Sequence, residues 1–303
     1  MEYIVETKKI TKRFGKEYAV EALDLKIPKG EIYGFLGPNG AGKTTTIRML
    51  LGLMRPTLGT IQIFGKDLKR ERIEVLKKVG SLVENPSYYP HLTAYENLEA
   101  LRKIYGISKK RIDEVLEIVS LLDVANKKVK GFSLGMKQRL GIAASLLNSP
   151  ELLILDEPTN GLDPSGIIEI RNLIKSLSVE EGMTILISSH LLSEIDQIAN
   201  NVGIISKGKL IFQDSIDVMR KQSQNKISFK VDDCEKVWRF LISSGIKADF
   251  SEDTISMLEQ NDENVATVVR LLVENGFSIY RVEEEKRSLE DTFLQMTAEE
   301  RVI

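Results

Sequence analysis

The chain has 303 residues, room for one large domain and a smaller second one. Lys and Arg (42) nearly balance Asp and Glu (44), for a net charge of −2, which argues against a nucleic-acid partner held by bulk electrostatics. One cysteine, Cys234, excludes an internal disulfide framework and fits a reducing compartment; it reads as a packed or surface thiol. Charged residues interrupt any secretory leader after Met1, and no uncharged apolar stretch reaches the roughly 18 residues of a membrane span. If the protein works at a membrane, another chain is expected to cross it.

In chain order, residues 3–10 and 20–27 carry β-type patterning and read as a hairpin, with Phe14 between them as a turn aromatic packed on the sheet or a stacking ring. Ile32–Leu36 reads as a buried strand. It feeds Gly37-Pro38-Asn39-Gly40-Ala41-Gly42-Lys43-Thr44, which fits G-x-x-x-x-G-K-[ST] at every fixed position. A helix with one apolar face follows over 45–51. The glycines let successive backbone N–H groups turn toward one anion, and the helix N-terminus adds its partial positive charge. Lys43 is expected on the β- and γ-phosphates, the Thr44 hydroxyl on Mg²⁺ and the Thr45 hydroxyl on the α-phosphate of a nucleoside triphosphate.

Strands are expected at 60–65 and 79–83. Between 84 and 92 runs a loop with two prolines and adjacent tyrosines, Tyr88 and Tyr89, followed by His91, read as an exposed loop residue. Residues 93–147 look almost wholly helical, opened by a capping box of Thr93 and Glu96. This block reads as a helical subdomain inserted in an α/β chain. Leu152–Leu155 is a buried strand ending in Asp156 and Glu157. Asp156 suits Mg²⁺ through a water, and Glu157 stands where a general base polarises an attacking water. Ile185–Ile187 is another apolar strand, tipped by Ser188, Ser189 and His190, at the end where open α/β sheets bind ligands. A hairpin is expected over 204–212, a helix over 214–221 and a linker at 222–225. Beyond it come strand 226–231, helix 233–244, hairpin 247–259, helix 262–275, strand 277–283 and helix 288–297. This order resembles a small ferredoxin-like α/β unit. Trp238 reads as core and Glu283-Glu284-Glu285 as a solvated edge; no catalytic constellation appears there.

With these residues in hand, the sequence resembles the ATP-binding subunit of an ABC transporter over about residues 3–221. The decisive segment is Phe132-Ser133-Leu134-Gly135-Met136-Lys137-Gln138-Arg139, similar to that family's signature. Asn160-Gly161-Leu162-Asp163 matches its D-loop, His190 its switch histidine and Phe14 its adenine-stacking aromatic. The resemblance implies a P-loop NTPase core with an antiparallel β subdomain and an inserted helical subdomain (93–147), all within an ATPase domain of residues 1–221. An accessory α/β domain follows at 226–303. It implies ATP and Mg²⁺ as ligands and a head-to-tail homodimer, in which Ser133 and the Gly135 N–H reach the γ-phosphate bound by the other chain. Asp163 belongs to the same nucleotide site. It further implies a separate membrane-spanning permease, docked on the Glu84–Leu92 loop, and a position on the cytoplasmic side of the membrane.

Two departures stand out. Glu84 replaces the family's usual glutamine, and can still ligate Mg²⁺ and bond water. Leu134 and Met136 replace Gly and Gln in the signature; a left-handed backbone at Leu134 would be strained, so a permissive conformation is expected there. Glu84 together with this signature is similar to the subgroup serving bacitracin and lantibiotic self-protection exporters. Two other readings are a soluble ABC-type ATPase acting on ribosomes or nucleic acid, and a nucleotide-sensing module without turnover. The first would carry paired ATPase units, a zinc module or a long coiled coil in one chain. The second conflicts with an intact Lys43, Asp156, Glu157 and His190.

Overall fold

The computed structural model describes residues 2–83, 88–222, 226–251, 254–258, 262–285, 289, 290 and 293. The chain divides into two compact units, residues 1–216 and 217–303. The sequence reading places that boundary later, after residue 221.

The first unit opens with β1 (Tyr3–Phe14), β2 (Glu17–Leu23) and β3 (Lys26–Pro28). Phe14 is the last residue of β1, paired with Glu17, so the hairpin runs further than its patterning suggests. Next come β4 (Ile32–Leu36), α1 (Lys43–Leu50), β5 (Leu58–Ile63), β6 (Lys66–Asp67), α2 (Arg72–Leu76) and β7 (Val79–Leu82). The helical block holds α3 (Ala94–Tyr105), α4 (Lys110–Ile118), two single 3₁₀ turns and α5 (Leu134–Leu146). Then follow β8 (Leu152–Asp156), α6 (Pro164–Glu181), β9 (Thr184–Ser189), α7 (Leu192–Asp196), β10 (Asn201–Ser206) and β11 (Lys209–Ser215), and α8 (Ile216–Gln222) starts at the boundary with the second unit.

Two sheets organise these elements. The antiparallel sheet runs β2-β1-β5-β6, with β3 also paired to β1. The main sheet runs β11-β10-β4-β9-β8-β7, parallel from β10 to β7, with β11 antiparallel at its edge. Strands β4, β8 and β9 are buried along their whole length. That is why each reads as a consecutive apolar run, with a polar tip on β8 and β9, rather than as an alternation. One core joins both sheets to α1: Val5 and Leu25, Phe35 and Leu186, Ile47 and Leu50 are all fully buried in it. Burying each such side chain contributes about 1.5–3 kcal/mol.

The helical block sits against this core through Gly80 of β7. A Cβ there would stand 2.4 Å from the Ser145 carbonyl oxygen on α5, so the two backbones meet only because the side chain is missing. Helix α3 starts at the expected capping box. Thr93 Oγ1 accepts the Glu96 N–H, and the Glu96 carboxylate accepts the Thr93 N–H at 2.7 Å. Helix α3 ends at Gly106 in the left-handed conformation.

The second unit contains β12 (Lys226–Val231), α9 (Cys234–Ser243), β13 (Asp249–Phe250), β14 (Ile255–Leu258), α10 (Asp262–Glu274) and β15 (Ile279–Glu285). Its antiparallel sheet has the order β13-β14-β12-β15. Phe229, Val237, Leu241, Ile255 and Leu272 are its buried core. Trp238 packs against that core while its indole N–H donates to the Ala248 carbonyl at 2.8 Å. Cys234 is half-buried. Of the expected linker at 222–225, Gln222 is the last residue of α8 and 223–225 lie outside the described residues, as does most of the helix at 288–297. Among the described residues no helix is long and apolar enough to cross a membrane.

Candidate active site

The parallel strands β4, β8 and β9 lie side by side, and their C-terminal ends deliver the glycine loop, Asp156-Glu157 and His190 to one place. The loop is shaped by backbone that only glycine adopts without strain. Gly42 has φ 110°, and a Cβ on it would lie 2.5 Å from the Ala19 carbonyl oxygen. Helix α1 begins immediately after it, at Lys43.

Lys43 is 5% exposed. Its ammonium donates to the Gly37 carbonyl at 2.7 Å and the Pro38 carbonyl at 3.3 Å, and lies 3.3 Å from Glu157 Oε1. The other Glu157 oxygen, Oε2, is 3.2 Å from His190 Nδ1. Glu157 therefore stands between a fixed cation and an imidazole. Its backbone has φ 48°, left-handed for a residue with a side chain, a conformation that costs about 1–3 kcal/mol. Such strain persists only when neighbours hold it, and here it aims the carboxylate off the end of the strand.

The Thr44 hydroxyl donates to Asp156 Oδ2 at 2.9 Å. Two hard oxygen donors side by side, next to a phosphate loop, suit a magnesium ion that keeps most of its other ligands as water and phosphate. Among the described residues no group of three or more His, Cys, Asp or Glu is placed to hold a metal ion.

Ser188 is a site residue that motif reading passed over. Its hydroxyl donates to Asp156 Oδ1 at 2.5 Å and accepts the Glu157 N–H at 2.9 Å. It fixes the two carboxylates relative to each other. Its signal in the sequence is a polar residue, fully buried, at the end of an apolar strand.

Other expected residues lie elsewhere. Phe14 ends β1 in the antiparallel sheet, 53% exposed, with the Lys12 ammonium 5.3 Å from its ring centroid. Ser133 caps α5 by accepting the Met136 N–H at 3.2 Å, so Ser133 and Gly135 sit at a helix N-terminus in the helical block. Leu134 is the first residue of α5 and has no positive φ, so its Cβ is accommodated. Asp163 caps α6, accepting the Gly166 N–H at 3.2 Å, with Pro164 as the first helical residue. Glu84 lies outside the described residues.

Of the adjacent tyrosines, Tyr88 is half-buried and Tyr89 is exposed. The Tyr88 hydroxyl donates to the Lys137 carbonyl on α5 at 2.6 Å, and burial pushes its phenol pKa up. Tyr89 is 60% exposed, its ring edge-on to His91 with centroids 6.1 Å apart. Beside it opens a groove of about 1270 Å³ between the core and the helical block, lined by Leu53, Ile73, Ile104 and Tyr105 among others. Leu53, Ile73, Ile104 and Tyr105 are all exposed.

The chain is similar to known proteins. The ABC transporter family pattern matches residues 20–160. The bacitracin transport ATP-binding protein BcrA of Bacillus licheniformis is 48% identical over 299 residues, covering 98% of both chains. The lantibiotic transport ATP-binding protein SrtF of Streptococcus pyogenes is 46% identical over 214 residues, 71% of this chain and 92% of that one. A solved structure of an ATP-binding subunit of an ABC transporter superposes with a TM-score of 0.64 at 29% identity, covering 72% of this chain and 92% of that one. Identity of this order along nearly the whole chain, with the phosphate loop, the Asp-Glu strand and the signature helix in place, makes this chain a member of the ABC transporter family and of its ATP-binding subunits.

Proposed function

We propose that this chain drives export of a peptide antibiotic such as bacitracin or a lantibiotic, giving the cell that makes or meets it protection. As an ABC ATP-binding subunit it hydrolyses ATP in a reaction coupled to transport. The observation that carries the cargo class is the 48% identity to a bacitracin transport protein, which extends through the C-terminal unit as well as the ATPase.

The chemistry follows from the site. Glycine-loop N–H groups and Lys43 hold the β- and γ-phosphates, and the Phe14 ring, open on one side, stacks on the adenine. Thr44 and Asp156, with Glu84, would hold Mg²⁺, and the ion would supply neutralisation of the triphosphate charge. Glu157 accepts a proton from the water that attacks the γ-phosphorus in line; the bond to the β-phosphate oxygen breaks and ADP leaves. His190 holds Glu157 through its second oxygen and lies toward the γ-phosphate side. Ser133 and the Gly135 N–H serve the ATP of a second copy, and Asp163 lies in the turn facing that copy. ATP bound between two chains then closes the dimer, and hydrolysis opens it.

The partner is a separate membrane-spanning permease, which keeps this chain on the cytoplasmic face of the membrane. Its cytoplasmic helix docks in the groove beside Tyr89, at the end of the Glu84–Leu92 loop. An exposed apolar groove of this size between two subdomains suits such a helix. Action on a ribosome or nucleic acid is the weaker reading, given the balanced charge.

The test is co-expression, in a sensitive bacterium, with the membrane protein that copurifies with this chain. Tolerance to bacitracin or a lantibiotic should rise with the parent and not with Glu157→Gln. No rise for either antibiotic class, with both subunits in the membrane fraction, would move the cargo outside this group.

A further inference from the structure

Glu194 lies in the first turn of α7, four residues past His190, and is only 8% exposed. A single oxygen, Oε2, accepts two hydroxyls: Thr159 Oγ1 at 2.7 Å and Ser189 Oγ at 2.9 Å. Both donors are themselves buried, at 5% and 2% exposure. Ser189 Oγ in turn accepts the Leu191 N–H at 3.0 Å. Thr159 stands two residues past Glu157, and its carbonyl accepts the Leu162 N–H at 3.2 Å, closing the turn before Asp163. Ser189 and Leu191 bracket His190. One buried atom therefore ties the chain on both sides of His190 to the chain just past Glu157. Glu157, Thr159, His190 and Glu194 also line one small cavity of about 170 Å³.

We propose that Glu194 is a positioning residue that sets the contact between Glu157 and His190 through Thr159 and Ser189. The proposal rests on the reading of Glu157 as base and His190 as its partner. The Glu157 and His190 side chains are 23% and 36% exposed, so packing alone leaves them free to part. The buried hydroxyl pair removes that freedom from the backbone on which both are carried. A hydroxyl matched to a buried carboxylate holds tightly, because losing the match strands a polar group away from water.

Thr159 gives a clean test. Thr159→Val keeps the shape and removes the O–H; Thr159→Ser keeps the O–H and removes a methyl. Positioning by Glu194 requires Thr159→Ser to hydrolyse ATP within about threefold of the parent. Thr159→Val should lose kcat by about tenfold or more while fluorescent-ATP affinity stays within about twofold. The chain has two histidines, so His91 and His190 give two imaginable imidazole signals by NMR. Thr159→Val should move the His190 signal and leave that of His91, whereas Thr159→Ser should move neither. If Thr159→Val matches the parent in turnover and in the His190 signal, or if Thr159→Ser is the worse of the two, the proposal is overturned. The NMR arm needs no turnover. If Glu157→Gln proves as active as the parent, the base assignment fails, and the positioning role is decided by the His190 signal alone.

Discussion

His190 Nδ1 stands 3.2 Å from Glu157 Oε2, although 33 residues separate them in the chain. The opposite oxygen of the same carboxylate meets Lys43. A carboxylate held at both oxygens, on a backbone of positive φ, has one orientation available. It is the orientation that points off the strand ends, toward the glycine loop.

Glu157→Gln keeps the shape and removes the proposed base. Turnover should fall by about a hundredfold or more, the range expected for loss of general-base catalysis. Nucleotide affinity should hold, and ATP-dependent dimers should accumulate on a sizing column. Turnover within about threefold of the parent would take Glu157 out of this role.

Lys43→Ala removes a buried point charge from the phosphate site. ATP affinity, measured with a fluorescent analogue, should drop by at least about tenfold, or 1.4 kcal/mol. The Glu157 carboxylate loses its cation at the same time, so turnover at saturating ATP should fall too. Unchanged affinity would contradict the placement of Lys43 on the phosphates.

Tyr88 and Tyr89 separate fold from docking. Tyr88→Phe deletes the bond to the Lys137 carbonyl and should cost about 0.5–1.5 kcal/mol, read as a Tm lowered by a few degrees. Tyr89→Ala should leave Tm and the hydrolysis of the isolated chain near parent values and impair transport with the permease. Survival of both copurification and transport in Tyr89→Ala would mean that the permease docks elsewhere.

Glu96 carries a pH dependence. The Thr93 N–H, bonded to its carboxylate, holds its pKa below the usual carboxylate range. A depressed folded pKa contributes stability that is complete above the unfolded pKa and is lost as pH falls through the folded one. Glu96→Gln should therefore melt below the parent at pH 7, and the gap should close in acid. A gap that is constant from pH 7 to strongly acidic pH would show that the carboxylate charge is not involved.

We propose that Glu84 brings a negative charge to the triphosphate site, where a glutamine would be neutral. Beside Mg²⁺ that charge strengthens metal binding; without metal it repels the γ-phosphate. Glu84→Gln should leave hydrolysis within about tenfold and weaken the dependence of ATP affinity on Mg²⁺. Glu84→Ala should do worse, chiefly in transport. Identical Mg²⁺ dependence in the parent and both variants would remove Glu84 from the metal.

What the sequence by itself determined is the chemistry carried by contiguous residues. Gly37–Thr44, the Leu152–Glu157 strand and the signature are local, and each has a backbone logic of glycine, cap or buried run that survives without knowing its neighbours. The capping box at Thr93 and the strands and helices of the C-terminal unit over 226–285 were legible for the same reason. Helix α6 was legible too, through Asp163-Pro164, yet went unread beside the loop motif that overlaps it. Short β6 and α2 lack any periodic signal, being two and five residues long. Only the tertiary structure decided which strands are neighbours. The order β10-β4-β9-β8 brings together Lys43, Glu157 and His190, and puts Thr44 beside Asp156 across 112 residues. No local pattern encodes that pairing, because it depends on which apolar strands bury one another. The same holds for the opposite fates of Tyr88 and Tyr89 and for the hydroxyls gathered by Glu194. A tyrosine, a serine or a threonine has the same local propensity whether its oxygen meets water or a partner brought from far along the chain.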